Sequence, residues 1–139
     1  MSKQNVEQFL DALAQLEDRG SVDPMLALFS TDVELTNPLH PHPHKGLDAA
    51  RAFWTAYRGT FHGVHSEFQH VLEGEHTAML EWVSRGRLAN GRDVTYAGVS
   101  VLEFRDGAIS RFRAYFDPVH LTRALRASQA PSAAQAAGW

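Results

Sequence analysis

The fold is decided by the stretch from Val64 to Pro118, VHSEFQHVLEGEHTAMLEWVSRGRLANGRDVTYAGVSVLEFRDGAISRFRAYFDP. It contains two hairpin signals, Asn90-Gly91 and Asp106-Gly107, in which both residues tolerate positive φ. Together with Gly74-Glu75 they divide the stretch into four runs rich in β-branched and aromatic residues. We therefore predict four strands, at about 64–73, 77–88, 92–104 and 108–117, that form an antiparallel meander.

Alternation along these strands sorts their side chains into two faces. One face is mostly aromatic, aliphatic or small, and the other carries most of the charges. We predict that the first face is concave and covered by helices. Its residues are Ser66, Phe68, His70, Leu80, Trp82, Ser84, Gly86, Tyr96, Gly98, Ser100, Leu102, Phe112, Ala114 and Phe116.

Three helices are predicted before the meander. Apolar residues at helical spacing begin at Val6 and end before Gly20, which favours an amphipathic first helix. Asp23-Pro24 is a typical start for a short second helix, and a third follows Asp48 with a broad aromatic face. A short strand ends at Asn37-Pro38, and Asp117-Pro118 begins a last short helix. The predicted class is α+β, an antiparallel sheet packed against three N-terminal helices.

Length and composition indicate one domain. The chain has 139 residues, of which 44% are hydrophobic, enough for a single core. We assign residues 1–127 to this domain and expect residues 128–139, rich in Ala, Ser and Gln, to be a disordered tail.

Charge and composition disfavour several classes of partner. The net charge is -3 and there is no cysteine, so neither a nucleic-acid surface nor thiolate chemistry is expected. No apolar run resembles a signal peptide or a membrane span. We expect a soluble cytoplasmic protein that binds neither membranes nor nucleic acid.

Three phrases carry a resemblance to a known family. They are Leu28-Phe-Ser-Thr-Asp32 leading into Val33-Glu-Leu-Thr-Asn37-Pro38, then Gly46-Leu-Asp-Ala-Ala50, then Arg113-Ala-Tyr-Phe-Asp117-Pro118. With the order of elements, they resemble the SnoaL-like and nuclear transport factor 2-like proteins, whose relatives include polyketide cyclases, ketosteroid isomerases and limonene epoxide hydrolases. The resemblance covers roughly residues 5–126 and implies that the antiparallel sheet is curved and cone-shaped, with a pocket on its concave face.

The catalytic positions of these relatives are mostly changed. The aspartate base of ketosteroid isomerases looks like Asn37, and its two oxyanion donors look like Phe9 and Ser100. Four of the five catalytic positions of the epoxide hydrolases look like Leu35, Trp82, Ser84 and Ala114, and only the asparagine, at Asn37, is kept. Asparagine cannot take up a proton and phenylalanine cannot donate one, so neither mechanism is expected.

The remaining polar and aromatic residues of the predicted pocket are candidates for ligand contact. Asn37 offers a donor and an acceptor, although a turn asparagine before proline is an equal alternative. Buried serines often bond to backbone, and aromatic residues at these spacings are often simply core. The predicted contacts are Asn37, Tyr57, Trp82, Ser84, Tyr96, Ser100, Phe112 and Phe116.

Histidines supply the candidate acid–base groups. His70 lies on the predicted concave face and is the fallback general base, with His40 as a second candidate. His40, His42 and His44 alternate with prolines in a predicted loop and project to one side, which is compatible with a metal site. No carboxylate accompanies them, so we favour a rigid rim around the pocket and expect no metal or cofactor.

Ala97, Val99 and Val101 make the outer face of the third meander strand apolar. A strand apolar on both faces needs a second covering layer, which is either the tail or a second copy of the chain. We predict a homodimer through the outer face. Two functions remain open: a pocket protein acting on a small, mostly apolar, ring-containing molecule, as an isomerase, cyclase or dehydratase, or a non-catalytic dimeric binding protein.

Overall fold

The structure is a computed structural model that describes residues 2–126, apart from the side chains of residues 2–4, 40 and 41. The helices are α1 (Ser2–Arg19), α2 (Asp23–Leu26), α3 (Leu47–Gly59) and α4 (Val119–Arg126). The strands are β1 (Phe29–Asn37), β2 (His40–Lys45), β3 (Phe61–Glu73), β4 (Thr77–Leu88), β5 (Asp93–Arg105) and β6 (Ala108–Phe116). The predicted tail, residues 128–139, lies outside the described residues.

One six-stranded sheet has the order β2-β1-β6-β5-β4-β3. The meander from β3 to β6 is antiparallel, as predicted, and β1 pairs in parallel with β6. The turn between β5 and β6 has positive φ at both central residues, 54° at Asp106 and 78° at Gly107. This geometry matches the right-handed twist of the strands that it joins. The predicted α+β class is confirmed, and the sheet is mixed rather than wholly antiparallel.

The predicted histidine–proline loop is instead a strand. β2 pairs antiparallel with β1, so that Leu35 faces His44 and Asn37 faces His40. Prolines are tolerated here because β2 is an edge strand and needs ladder hydrogen bonds on one side only. The prediction of a loop was wrong, because alternating prolines are compatible with an edge strand.

The core lies between the concave face of the sheet and the helices. Phe9 of α1, Trp54 of α3 and Phe112 of β6 meet there, with ring centroids 5.9 Å apart for Phe9–Phe112 and 5.0 Å for Trp54–Phe112. The residues predicted for the concave face of β4 and β5 are buried, apart from the half-buried Gly86 and Gly98. Burial of this apolar face supplies most of the driving force for folding.

A β-bulge in β3 reverses the orientation of His70. Phe68 pairs with Trp82, but His70 pairs with Glu81, so one extra residue separates the two pairs. The His70 side chain is 76% exposed, and its Nδ1 lies 2.6 Å from Glu81 Oε1. The prediction that His70 lies on the concave face is wrong.

Within residues 2–126, no helix is both long enough and apolar enough to cross a membrane.

Candidate functional site

A cavity lies between the concave face of the sheet and the helices α1 and α3. The space open to the centres of water-sized molecules is about 50 Å³. Since one such molecule needs about 10–15 Å³, the cavity holds only a few of them and is a narrow slot. The predicted ligand contacts other than Asn37 all line it: Tyr57, Trp82, Ser84, Tyr96, Ser100, Phe112 and Phe116.

Hydroxyl groups supply the polar surface of this cavity. Ser84 and Ser100 are 2% and 5% exposed, and both project from the sheet into the cavity wall. The indole N–H of Trp82 donates to Ser100 Oγ over 3.0 Å. Ser100 Oγ therefore accepts from Trp82 with one of its lone pairs, and its own proton can be donated to another acceptor.

A buried carboxylate stands behind the cavity wall. Glu17 of α1 is 4% exposed, and three donors converge on its two oxygens. Tyr57 Oη donates to Oε2 over 2.7 Å and Ser66 Oγ to the same oxygen over 2.6 Å, while the Ser66 backbone N–H donates to Oε1 over 2.9 Å. Ser66 Oγ also lies 2.6 Å from Ser84 Oγ. These bonds join α1, α3, β3 and β4 at one point.

The two tyrosines of the cavity are held in the protonated form. Burial raises the pKa of Tyr57 well above its ordinary value of 10.0, and electrostatic interactions with Tyr96 and Glu17 act in the same direction. Burial also raises the pKa of Tyr96, with a further contribution from Glu17. Both hydroxyls therefore remain hydrogen-bond donors at neutral pH.

Asn37 lies outside the cavity lining. It is 4% exposed, and its Oδ1 accepts a hydrogen bond of 2.8 Å from the Leu39 backbone N–H. This local bond is the turn alternative considered for an asparagine before proline. In this structure the residue organises the β1–β2 turn.

The histidines are not brought together at the cavity. His70 is on the outer face, and the side chain of His40 lies outside the described residues. His44 packs edge-on against Phe53, with ring centroids 6.0 Å apart, and so stands behind the lining. In the part of the chain with described side chains, no three potential ligands cluster to hold a metal ion.

Sequence reasoning missed Glu17 although a signal was present. Phe9, Leu13 and Glu17 are spaced by four residues, so they share one face of α1. A carboxylate on the apolar stripe of a helix is rarely buried without partners. Strand alternation cannot reveal this residue, because Glu17 lies on a helix.

The curved sheet and two helices together enclose an aromatic cavity. The chain is therefore an α+β protein with a pocket. Residues 6–112 match the family model of the SnoaL-like domain, and the chain belongs to this family. A comparison with curated proteins finds no significant match.

Solved structures share the fold. An NTF2-like protein from Anabaena variabilis ATCC 29413 is similar with a TM-score of 0.78 at 20% identity, covering 84% of this chain and 89% of that one. A putative SnoaL-like polyketide cyclase from Jannaschia sp. CCS1 has a TM-score of 0.74 at 17% identity, covering 88% and 92%. An LEH-like epoxide hydrolase from M. tuberculosis has a TM-score of 0.67 at 22% identity, covering 93% and 95%. The predicted family resemblance is confirmed.

Proposed function

We propose that this SnoaL-like protein binds a small, mostly apolar, uncharged molecule with a ring in the cavity between its sheet and helices. The observation that carries the proposal is the lining, which combines aromatic side chains with hydroxyl groups. No lysine, arginine or histidine lines the cavity in the described part of the chain. A flat ring can stack on the aromatic walls, and a neutral polar substituent can meet a hydroxyl.

Charge argues against anionic ligands. A carboxylate or phosphate would lose its hydration in this cavity without gaining a cation, which costs several kcal/mol. Glu17 adds an unfavourable interaction, because its carboxylate is buried directly behind Ser66 and Ser84. Nucleotides and free carboxylic acids are therefore poor candidates, whereas ketones and phenols lose far less hydration energy.

Catalysis remains the first candidate role, as an isomerase, cyclase or dehydratase. Its support is the family, which includes proteins of that kind, together with an ionisable group next to the cavity. His70 and His40 were the predicted acid–base groups, but His70 points away from the cavity. Glu17 takes their place as the candidate acid–base group, and it reaches the cavity through the hydroxyl groups of Tyr57 and Ser66.

A non-catalytic binding protein is the second candidate. The observation that favours it is the set of residues at the positions that resemble catalytic ones. Phe9 and Ser100 line the cavity where the isomerases have oxyanion donors, and Asn37 is outside the lining altogether. Proton transfer by the isomerase mechanism would lack its base and a developing oxyanion would lack strong donors.

The binding proposal is tested by thermal shift with matched neutral and acidic ligands. Flat aromatic ketones and small terpenoid ketones are compared with the corresponding carboxylic acids. A ligand at about a hundred times its dissociation constant adds about 2.7 kcal/mol of stability, which raises the melting temperature by several degrees. We expect neutral ketones to give this shift and acids to give none.

A pair of variants ties the shift to the cavity. Ala114 lines the cavity, so Ala114→Leu should fill it and remove the shift. Ala89→Leu makes the same change at an exposed position and should keep it. Stabilisation by acids alone, or a shift that survives Ala114→Leu, would show that the ligand binds elsewhere.

We also propose that the protein acts in the cytoplasm as a homodimer joined through the outer face of the sheet. The lack of cysteine in the sequence supports the location. Exposed Met79 and Tyr115 on the outer face support the dimer, for which a test is given below.

A further inference from the structure

The hydroxyl groups of the cavity wall form a chain that ends on Glu17. We infer that Glu17 sets the direction of this chain, so that Ser84 offers only an acceptor to the ligand and the site selects a ring with a hydroxyl donor, a phenol or an enol. This inference rests on the proposed binding of a neutral ring compound and adds the substituent that the ring must carry.

The direction of the hydrogen bonds in this chain is fixed first at the Glu17 carboxylate. The Ser66 backbone N–H can only donate, so Glu17 Oε1 is an acceptor. Oε2 receives both the Tyr57 and the Ser66 hydroxyl groups. A carboxylate has acceptors only, so it satisfies all three of these donors at once. The Ser66 proton therefore points to Glu17.

The direction passes from Ser66 to Ser84. A serine hydroxyl has one proton, and that of Ser66 is already used. The 2.6 Å contact between Ser66 Oγ and Ser84 Oγ must then be donated by Ser84. Ser84 has no second proton, so it can present only its lone pairs to the cavity. A ligand at this position gains a hydrogen bond only if it donates one.

Further along the sheet, Ser100 offers a ligand a hydrogen-bond donor instead of an acceptor. Ser100 accepts from the Trp82 indole and keeps its proton for a ligand acceptor. Tyr96 is the β5 partner of Ser84, and Ser100 lies four residues further along β5. At about 3.3 Å per residue, that separation is about 13 Å. The cavity thus has an accepting end at Ser84 and a donating end at Ser100.

A matched pair of probes tests this polarity. 2-Naphthol and 2-methoxynaphthalene have the same rings, but only the first can donate. A hydrogen bond contributes about 0.5–1.5 kcal/mol net, so we expect the naphthol to bind about 2- to 12-fold more tightly to wild-type protein than to Ser84→Ala in a fluorescence titration. The ether can only accept a hydrogen bond, from Ser100, and should bind both proteins equally. A naphthol affinity that is the same in both proteins would overturn this inference and leave the proposed function intact. Binding of neither probe would overturn both.

Glu17→Gln should reverse the preference. The glutamine oxygen stays with the Ser66 backbone N–H, which places its NH₂ group where Oε2 was. This amide then donates to Ser66 Oγ, Ser66 donates to Ser84, and the Ser84 proton turns to the cavity. We expect this variant to bind the methyl ether at least as tightly as the naphthol. A preference for naphthol that survives in a folded Glu17→Gln protein would overturn the inference.

Two further variants keep the test decisive. Glu75→Gln makes the same substitution at an exposed position, 88% exposed at its side chain, and should behave as wild type. Ser84→Ala removes the acceptor without touching Glu17, so it should abolish the naphthol advantage while ether binding is kept. It provides the answer if Glu17→Gln does not fold, and a naphthol advantage that survives Ser84→Ala would overturn the inference.

Discussion

Tyr57 and Tyr96 make the stability of the protein sensitive to alkaline pH. Their folded-state pKa values are raised by burial and by the negative charge of Glu17. In the unfolded chain a tyrosine ionises near pH 10. Above that pH the unfolded state releases protons that the folded state retains, so the free energy of unfolding falls as pH rises. The two tyrosines therefore contribute fully to the free energy of unfolding below about pH 10, and this contribution is lost as the pH rises above that value.

Removal of either tyrosine hydroxyl should flatten this alkaline loss. One group contributes a slope of up to about 1.4 kcal/mol per pH unit, so Tyr57→Phe and Tyr96→Phe should each reduce the slope above about pH 10. Tyr57→Phe also removes a bond to Glu17 and should cost about 1–3 kcal/mol at neutral pH. Urea denaturation across the pH range measures both effects.

The matched control is Tyr115→Phe, which changes a tyrosine that is 56% exposed on the outer face. If both cavity variants kept the full wild-type slope, groups other than the buried tyrosines would determine the alkaline limit.

Most individual cavity residues were predictable, because strand alternation alone assigns Trp82, Ser84 and Ser100 to one face. The exceptions have physical causes. His70 follows a bulge, whose inserted residue shifts the alternation by one position, so that Val71 and not His70 pairs with the buried Leu80. Strict alternation does not include this shift. Glu17 is buried because Tyr57 and Ser66 bond to it, and these partners are 40 and 49 residues away in sequence. Tertiary contacts of that kind cannot be inferred from local pattern.

At the scale of elements, atoms of β4 and β6 approach the backbone of β5 closely at Gly98. A Cβ atom there would overlap the Tyr115 carbonyl oxygen and lie 2.8 Å from the Trp82 ring and 2.9 Å from Phe116 Cβ. Glycine therefore allows the two aromatic side chains to close over the strand. The meander itself follows from the Asn90-Gly91 and Asp106-Gly107 turns, which explains why its strand ends were predicted to within a few residues.

Gly98→Ala should destabilise the fold by about 1–3 kcal/mol, because the carbonyl oxygen that blocks the methyl group belongs to the adjacent strand. Gly63→Ala is the matched control in β3, since nothing lies within 4 Å of the added atom. It should be neutral or slightly stabilising. Thermal denaturation compares the two, and equal melting temperatures would mean that β5 and β6 shift apart at little cost.

For the whole molecule, the outer face of the sheet presents an apolar patch. Met79 pairs with Val101 and Val99 with Tyr115, so these four residues are neighbours on one face. Met79 is 46% exposed and Tyr115 56%, whereas Val101 is already buried at 7%. Salt bridges from Glu103 to Arg111 and Arg113 lie at one side of the patch. A second copy would cover apolar side chains and leave these ion pairs at the rim.

We expect a homodimer in sedimentation at micromolar concentration. Val99→Arg should produce folded monomers, because an unpaired charge cannot be buried in an apolar contact. Ala52→Arg, at an exposed position of α3, adds the same charge away from the patch and should stay dimeric.

A wild-type monomer would instead favour the tail as the cover of this face. In that case, deletion of residues 128–139 should expose the patch and increase binding of a hydrophobic dye. No such increase is expected if a second copy covers the face.

Hydrogen exchange at the Ser66 amide reports on the opening of the cavity. Ser66 lies on β3, the edge strand, and its backbone N–H bonds to the α1 carboxylate of Glu17. The amide can therefore exchange with deuterium only when that contact opens, and its exchange rate reports how often α1 leaves the sheet. A molecule bound between α1 and the sheet would slow exchange at this amide, because it would bind only the closed state.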